Sequence, residues 1–176
     1  MKTKSLEGNP PNIINIYSRS KDPRSRIISN FAHTPFVLDD EQIASMEGFH
    51  QGIKFENIEE RRHVFGLCGT EARKQRVKVN KPGIRYCYWG YEKFVSRSQQ
   101  YYQLYHRAML AKFTQSHEAR EALLATGDDF FGHRVPRVKY NFEEFQKSHL
   151  CQSLYQIREA LKSDVVFELQ RLDKVA

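Results

Sequence analysis

Cysteine is scarce in this chain, and long apolar runs are absent. Its three cysteines are widely spaced and form no C-x-x-C pair, which argues against a disulfide framework or a cysteine metal site: Cys68, Cys87 and Cys151. No stretch of eighteen apolar residues occurs, so the sequence predicts no membrane-spanning helix. The first residues, MKTKSLEGNPPN, lack the apolar centre of a secretory signal. We therefore expect a cytoplasmic protein with no membrane partner.

Histidine is present, but not in a pattern that binds metal. None of the seven histidines belongs to an H-E-x-x-H motif or another ligand spacing. The Gly66-x-x-Gly69 segment lacks the strand and the G-K-[ST] context of a phosphate loop. We therefore expect neither a metal ion nor a cofactor.

Aromatic residues and positive charge are abundant. The chain contains twelve Phe, nine Tyr and one Trp, which is unlike the composition of a disordered protein. Its formal net charge is +7, with a pI near 9.3. A basic protein suits polyanionic partners such as nucleic acid or phosphorylated ligands, although solvated Lys and Arg side chains give the same balance.

The length of 176 residues is typical of one domain with a short extension. We predict a flexible lead over residues 1–11, which Gly8-Asn9-Pro10-Pro11 separates from a single domain over residues 12–176. The local patterns predict an α+β fold that is mostly α-helical, with a few short strands.

Local patterns predict the following elements. We expect a strand near Ile13–Tyr17, a basic loop over 18–26, and a hairpin over 35–43 that turns at Asp39-Asp40. Helices are predicted over 45–55, 59–67, 71–79 with Thr70 as cap, 98–115, 117–126 after Ser116, and 148–170. Residues 128–147 are predicted to be irregular.

The helix predicted near residue 50 combines an apolar face with a polar one. At 3.6 residues per turn, four polar residues share a face: Glu47, His50, Gln51 and Lys54. Phe49 and Ile53 lie on the opposite side. The spacing alone is also typical of a helix whose polar stripe faces solvent.

Several segments resemble, in order, the opening of the YbiA/NADAR family, which runs I-N-F-Y-S, S-N-F, a hairpin and S-E-H-x-x-Q-x-x-K-F. The matching segments are Ile13-Ile14-Asn15-Ile16-Tyr17-Ser18, Ser29-Asn30-Phe31, Pro35-Phe36 and Ser45-Met46-Glu47-x-Phe49-x-Gln51-x-x-Lys54-Phe55. The similarity resumes in Arg107-Ala108-x-x-Ala111-Lys112-Phe113-x-Gln115 and Arg120-x-x-Leu123-Leu124-Ala125-Thr126-Gly127. It covers most of residues 12–133.

This resemblance implies an N-glycosidase that hydrolyses a C–N glycosidic bond. It implies acid–base work by Glu47, covalent help from Lys54 through an imine, and a ribose-holding role for the Ser29-Asn30-Phe31 loop. A carboxyl beside apolar side chains can serve as a general acid, and a partly buried Lys can be neutral enough to attack a sugar carbon. His50 and Gln51, which lie between them, could orient hydroxyl groups.

Three other residues are candidates for substrate binding. Trp89 could stack on a base, although such an aromatic cluster more often anchors a loop to the core. Arg24 and Arg137 could hold phosphates and line the same cleft as Glu47, although solvated charge is the commoner outcome.

The sequence also departs from the family pattern. Gly48 replaces the family's His, an extra aromatic stretch occupies 86–94, and we expect the later D-x-x-W-G segment to be missing. The leading hypothesis is removal of ADP-ribose from guanine in DNA. The alternatives are an N-glycosidase for phosphorylated riboflavin-pathway intermediates and a non-catalytic ADP-ribose or nucleic-acid binding module.

Overall fold

Short strands and helices alternate along the chain. The computed structural model describes residues 12–79, 85–136 and 138–163. Within these ranges the strands are β1 (Ile13–Asn15), β2 (Phe36–Leu38), β3 (Glu41–Ile43), β4 (Tyr86–Trp89), β5 (Glu92–Val95) and β6 (Phe130–Gly132). The helices are α1 (Pro23–Ile28), α2 (Met46–Gly52), α3 (Ile58–Phe65), α4 (Gly69–Lys74), α5 (Arg76–Val79), α6 (Gln99–Gln115), α7 (His117–Leu124), α8 (Phe142–Gln146) and α9 (His149–Lys162).

The strands form two-stranded sheets. β2 and β3 form an antiparallel hairpin whose turn residues, Asp39 and Asp40, have φ angles of 47° and 65°. Positive φ at both central positions is the geometry of a type I′ turn, which suits the twist of a hairpin. β4 and β5 form a second hairpin, and β1 pairs in parallel with the distant β6.

Helix α6 lies at the centre of the packing. Ser98 caps its N-terminus by accepting from the backbone N–H of Tyr101. The helix contacts α2, α7, α9 and the β2 strand. Because its buried residues repeat at helical spacing, among them Ala108, Met109 and Phe113, one hydrophobic core extends through the described residues.

The structure confirms the α+β, mostly α-helical fold class. The 35–43 hairpin, the strand near residue 13 and the helix over 98–115 form as predicted. Ser45, Ser98 and Ser116 each cap a helix through the side-chain oxygen. Such caps can be predicted from the sequence, because they involve only the cap residue and the first helical turn that follows it.

Several boundaries differ from the prediction. Part of the basic loop over 18–26 is helix α1, because Asp22 caps the backbone N–H of Arg24 and Pro23 occupies the first turn. Helix α4 begins at Gly69 rather than after a Thr70 cap, and α2 ends at Gly52 rather than near Phe55.

The region predicted as irregular, 128–147, contains both β6 and α8. β6 forms because it pairs with β1, which lies more than one hundred residues earlier in the chain. A local sequence pattern cannot show such a pairing. Asn141 caps α8 by accepting from the backbone N–H of Glu144. Helix α9 is described to Lys162, and the remainder of the predicted 148–170 helix lies outside the described residues, as does the predicted lead over 1–11.

Candidate active site

Helix α2 is fixed at its N-terminus by contacts with two other segments. The Ser45 hydroxyl accepts from the Gly48 backbone N–H (2.9 Å) and donates to the Leu67 carbonyl (2.9 Å). The backbone N–H of Glu47 donates to the Asn30 carbonyl (2.8 Å). Phe49 anchors the opposite side of the helix in the core, where it is fully buried. The polar side chains of α2 are therefore presented from a rigid support.

Gly48 and Gly52 allow α2 to pack closely on α3 and the segment behind it. A Cβ atom on Gly48 would overlap the Leu67 carbonyl oxygen, and one on Gly52 would overlap the Phe65 ring. Only glycine fits such close approaches without a shift of its neighbours. The replacement of the family's His by Gly48 therefore has a packing reason in this chain.

A hydrogen-bonded chain joins the two predicted catalytic side chains. Gln51 Nε2 donates to Glu47 Oε1 (2.8 Å), and Lys54 Nζ donates to Gln51 Oε1 (2.7 Å). Glu47 is 8% exposed, so the polar face is largely buried rather than a solvated stripe. Within the described residues, Glu47 Oε2 has no hydrogen-bond partner, which leaves one carboxylate oxygen available to a ligand or to water.

Burial sets the protonation of the two basic groups on this face. Burial, the nearby Lys54 and Arg97 together lower the pKa of His50 to about 3, so the imidazole is neutral. Burial is also the main reason that the pKa of Lys54 falls to about 8, and the attraction of Glu47 opposes this shift. Near neutral pH about one tenth of Lys54 is an uncharged amine, the form that can act as a nucleophile.

The contacts of His50 fit a neutral ring with a defined tautomer. Its Nε2 lies 3.1 Å from Lys54 Nζ, and its Nδ1 lies 3.0 Å from Tyr101 Oη. When Lys54 is an ammonium it only donates, so Nε2 accepts and Nδ1 carries the proton. Burial raises the pKa of Tyr101, which keeps this phenol protonated.

The loop of Ser29, Asn30 and Phe31 lies against the start of α2. Besides accepting from Glu47 N–H, Asn30 donates its side-chain amide to Tyr105 Oη (2.8 Å). Burial and then the charge of Glu47 raise the pKa of Tyr105, which keeps this phenol protonated. Ser29 Oγ is used within the loop, where it accepts from the Phe31 backbone N–H (3.3 Å).

Lys112 supports this loop from beneath. It is fully buried, and its Nζ donates to the carbonyls of Ile27, Ile28 and Ser29 at 3.0–3.1 Å. These are the last carbonyls of α1 and its cap, which have no partner inside the helix. A single ammonium group therefore satisfies the end of α1 and fixes the loop next to Glu47.

A cleft of about 700 Å³ opens beside Lys54. It is lined by parts of α2, the segment after it, the β4–β5 hairpin and the start of α6, including His50, Lys54, Tyr86, Tyr88 and Tyr101. Tyr86 and Tyr88 alternate along β4 with Cys87 and Trp89, so they face the cleft while their neighbours pack inward. A volume of this size is in the range of small-molecule sites.

Trp89 lies on the other side of α2, away from this cleft. Its ring packs against Phe49 and Phe65, with ring centroids 5.8 and 5.9 Å apart. Its indole N–H donates to Asp39 Oδ2 (2.8 Å). This is the loop-anchoring arrangement weighed above against base stacking.

Arg24 is engaged with other parts of the protein. Its guanidinium donates to both carboxylate oxygens of Asp22 and to the Ala125 carbonyl (2.8 Å). It does not line the cleft beside Lys54. Arg24 therefore joins α1 to the end of α7. Glu47 is likewise not among the described residues that line the cleft beside Lys54, and a cleft shared by Arg24 and Glu47 stays a prediction. Arg137 lies outside the described residues.

A D-x-x-F-G segment stands where the family's D-x-x-W-G was expected to be missing. Asp128-Asp129-Phe130-Phe131-Gly132 carries Phe131 at the position of the Trp. Phe131 is fully buried in β6. The Trp itself is absent from this segment, as the sequence indicated.

Several residues of this site were not predicted from the sequence. Tyr101 and Tyr105 are one turn apart on α6, and that spacing was a usable signal. Arg85 and Arg97 flank the β4–β5 hairpin and also line or face the cleft. No local pattern shows that a hairpin thirty residues along the chain covers Lys54.

The fold of this chain is similar to that of a solved bacterial protein. It superimposes on the NMR structure of the E. coli protein YbiA with a TM-score of 0.62 and 23% sequence identity, over 90% of each chain. Residues 23–159 match the family described as Bacteriophage protein GP30.3, and the chain belongs to that family.

A second relative comes from a bacteriophage. The chain is 33% identical over 109 residues to an uncharacterized 17.1 kDa protein in the Gp30-rIII intergenic region of Enterobacteria phage T4. That match covers 61% of this chain and 72% of the relative. In the part of the chain that the structure describes, no helix is long and apolar enough to cross a bilayer.

Proposed function

We propose that the protein is an N-glycosidase that hydrolyses the C–N bond between a ribose and a nucleobase, with ADP-ribosylated guanine in DNA as its leading substrate. The observation that carries this proposal is the chain from Glu47 through Gln51 to Lys54. It joins the nearly buried carboxylate of Glu47 on α2 to the partly neutral amine of Lys54, two residues after that helix ends, and Lys54 lines a cleft of about 700 Å³. The YbiA-like fold supports an enzyme of the glycosidase type.

The proposed reaction begins with proton delivery by Glu47 in its acid form. Protonation of the ribose ring oxygen lets the ring open, and the C1′–N bond becomes an iminium to the base. The neutral amine of Lys54 adds to C1′, and the base leaves with its electron pair and a proton. The product of this step is an imine between Lys54 and the sugar.

Water completes the reaction. Glu47, now a carboxylate, takes a proton from water that attacks the imine carbon, and the amine of Lys54 leaves. Closure of the ribose ring restores the sugar. The net change is addition of one water molecule across the C–N bond, with no oxidant or cofactor. Gln51 keeps the two groups aligned because its amide donates to one and accepts from the other.

The test uses two substrates in parallel. The protein is incubated with an oligonucleotide bearing ADP-ribosylated guanine and, separately, with phosphorylated ribosylaminopyrimidines. Released ADP-ribose or ribose phosphate is quantified by mass spectrometry. We expect release from the oligonucleotide and none with Glu47→Gln. Absence of release from both substrates would contradict a glycosidase and return the protein to the binding-module alternative.

A second candidate function is cleavage of small phosphorylated pyrimidine glycosides. The observation in its favour is the engagement of Arg24 with Asp22 and Ala125, which removes one expected contact to a DNA backbone. A cleft of about 700 Å³ also suits a ligand of one or two nucleotide units. Faster turnover of the free metabolites than of the oligonucleotide would favour this candidate.

A further inference from the structure

Four cationic residues line the cleft beside α2. They are Lys54, Lys78, Arg85 and Arg97. Lys54 is held by Gln51 and His50. Within the described residues, the side chains of Arg85 and Arg97 have neither a hydrogen-bond nor an ion-pair partner. Two exposed arginines therefore line the cleft, and no described residue engages their side chains.

The β4–β5 hairpin brings these two arginines together. Arg85 directly precedes β4, and Arg97 follows β5 by two residues. The Ser96 backbone N–H donates to the Arg85 carbonyl (2.8 Å), which closes the open end of the hairpin. Arg85 is thus paired with Ser96 across the hairpin, and Arg97 is the next residue after Ser96.

Arg97 occupies an unfavourable backbone conformation. Its φ angle is 67°, in the left-handed region that favours glycine. The chain keeps an arginine where glycine would cost less, and strained positions of this kind cluster at ligand sites. Both arginines line the same cleft as His50 and Lys54.

The acidic residues of the cleft do not neutralise these arginines. Glu56 and Glu60 also line it, on the segment that joins α2 to α3 and on α3 itself. Glu56 accepts from Tyr88 Oη (3.3 Å). In the described part of the chain, neither carboxylate forms an ion pair with Arg85 or Arg97.

We propose that Arg85 and Arg97 form a phosphate-binding subsite, which holds the phosphate or diphosphate attached to the ribose while C1′ lies at Lys54. The assignment of the ligand as a ribosyl phosphate rests on the proposed function. Guanidinium groups bind phosphate through paired donors, and two of them at the end of one hairpin can hold a diphosphate. Tyr86 and Tyr88 also line this cleft and supply aromatic surface.

Direct binding tests this subsite without any need for turnover. Isothermal titration calorimetry is used with ribose, ribose 5-phosphate and ADP-ribose, which separates the contribution of the sugar from those of one and two phosphates. We expect the parent to prefer both phosphorylated ligands over ribose. Arg85→Gln with Arg97→Gln should weaken ADP-ribose binding by about 10- to 100-fold and remove most of that preference. Unchanged affinity in the double variant would overturn the subsite.

A pair of glycine substitutions controls for stability. Arg97→Gly removes the guanidinium and relieves the strained φ, so it should keep or raise the melting temperature while ADP-ribose binding falls. Asp40→Gly relieves a similar φ of 65° in the β2–β3 turn, outside the cleft. Asp40→Gly should also keep or raise the melting temperature, and it should leave ADP-ribose binding unchanged. Equal loss of binding in both variants would contradict the assignment.

Two further outcomes separate this subsite from the proposed function. Arginine-dependent ADP-ribose binding without glycoside cleavage leaves the subsite standing and contradicts the enzyme. Brisk cleavage that both arginine variants retain, with unchanged KM, contradicts the subsite and leaves the enzyme standing. Unmodified single-stranded DNA serves as a third probe. If the double substitution weakens binding of that DNA as much as it weakens binding of ADP-ribose, the arginines bind backbone phosphates. The ribosyl-phosphate assignment is then wrong.

Discussion

Glu47 has one carboxylate oxygen engaged with Gln51 and the other available, which makes an isosteric substitution informative. In Glu47→Gln, the side-chain carbonyl can still accept from Gln51 Nε2, so the free energy of unfolding should change by less than about 1 kcal/mol. Turnover should fall by about 100-fold or more, because the general acid is lost. Steady-state kinetics alongside thermal melting checks both. Near-parental turnover in this variant would remove Glu47 as the acid.

Lys54 makes a covalent prediction. If its amine forms an imine with the opened sugar, borohydride added during turnover should trap an adduct heavier than the protein by the sugar-bearing fragment. Lys54→Arg should abolish trapping, because a guanidinium does not form the imine. Intact-protein mass spectrometry measures the adduct. A Lys that only pairs with Glu47 or a phosphate would never trap and would tolerate Arg with modest loss.

The pKa of Lys54 also predicts a pH dependence. Because the folded pKa of about 8 lies below the ordinary 10.5, the unfolded chain binds more protons between these values. The contribution of Lys54 to stability therefore rises with pH across that window. The proposed reaction needs a protonated Glu47 and a neutral Lys54 at the same time, a state with one proton on the pair, so kcat should fall as pH rises above about 8, where the pair loses that proton. A kcat that keeps rising above pH 8 would contradict Glu47 as the acid partner of a neutral Lys54.

At the scale of elements, the position of α2 depends on its glycines. Gly48→Ala should destabilise the protein by about 1–3 kcal/mol, because its Cβ meets backbone carbonyl oxygens that cannot move aside. Gly66→Ala is the matched control. Gly66 ends α3 with a φ of −72°, and its nearest neighbour would lie at an ordinary 3.4 Å. Denaturant unfolding should separate the two, and equal losses would show that α2 has room to shift.

The elements that were predicted correctly are those defined by local sequence signals. Serine caps, the turn at Asp39-Asp40 and the apolar side of α2 through Phe49 each need only a few neighbouring residues. The polar face of α2 was also located correctly along the chain, with Glu47 and Lys54 joined through Gln51. Their roles in catalysis stay predictions.

The features that sequence reasoning missed depend on distant packing. β6 exists because it pairs with β1, and the cleft exists because the β4–β5 hairpin folds over Lys54. The basic run over 18–26 also did not predict that Asp22, two residues earlier, binds the guanidinium of Arg24. A charged run in a sequence does not show which of its members already has a partner.

At the scale of the whole molecule, the positive charge is not spread evenly over functional contacts. The net charge of +7 belongs to the full sequence, yet Arg24 and Arg62 form close pairs with acidic neighbours. Arg85 and Arg97, by contrast, face the cleft without such pairs among the described residues. The net charge of the whole chain therefore predicts substrate binding less well than the two arginines that line the cleft beside Lys54.

This difference gives a prediction about salt dependence. Arg24→Gln loses the paired contacts to Asp22, and because that pair is about one third exposed, the loss of stability should be about 1 kcal/mol or less. KM for ADP-ribosylated DNA, and its slope against salt concentration, should stay at the parental values, because no phosphate contact is removed. Titrating KM from low to moderate salt measures the slope. A slope flatter by about one unit would mean that Arg24 leaves Asp22 to hold a DNA phosphate, and the DNA would then extend from the cleft toward α1.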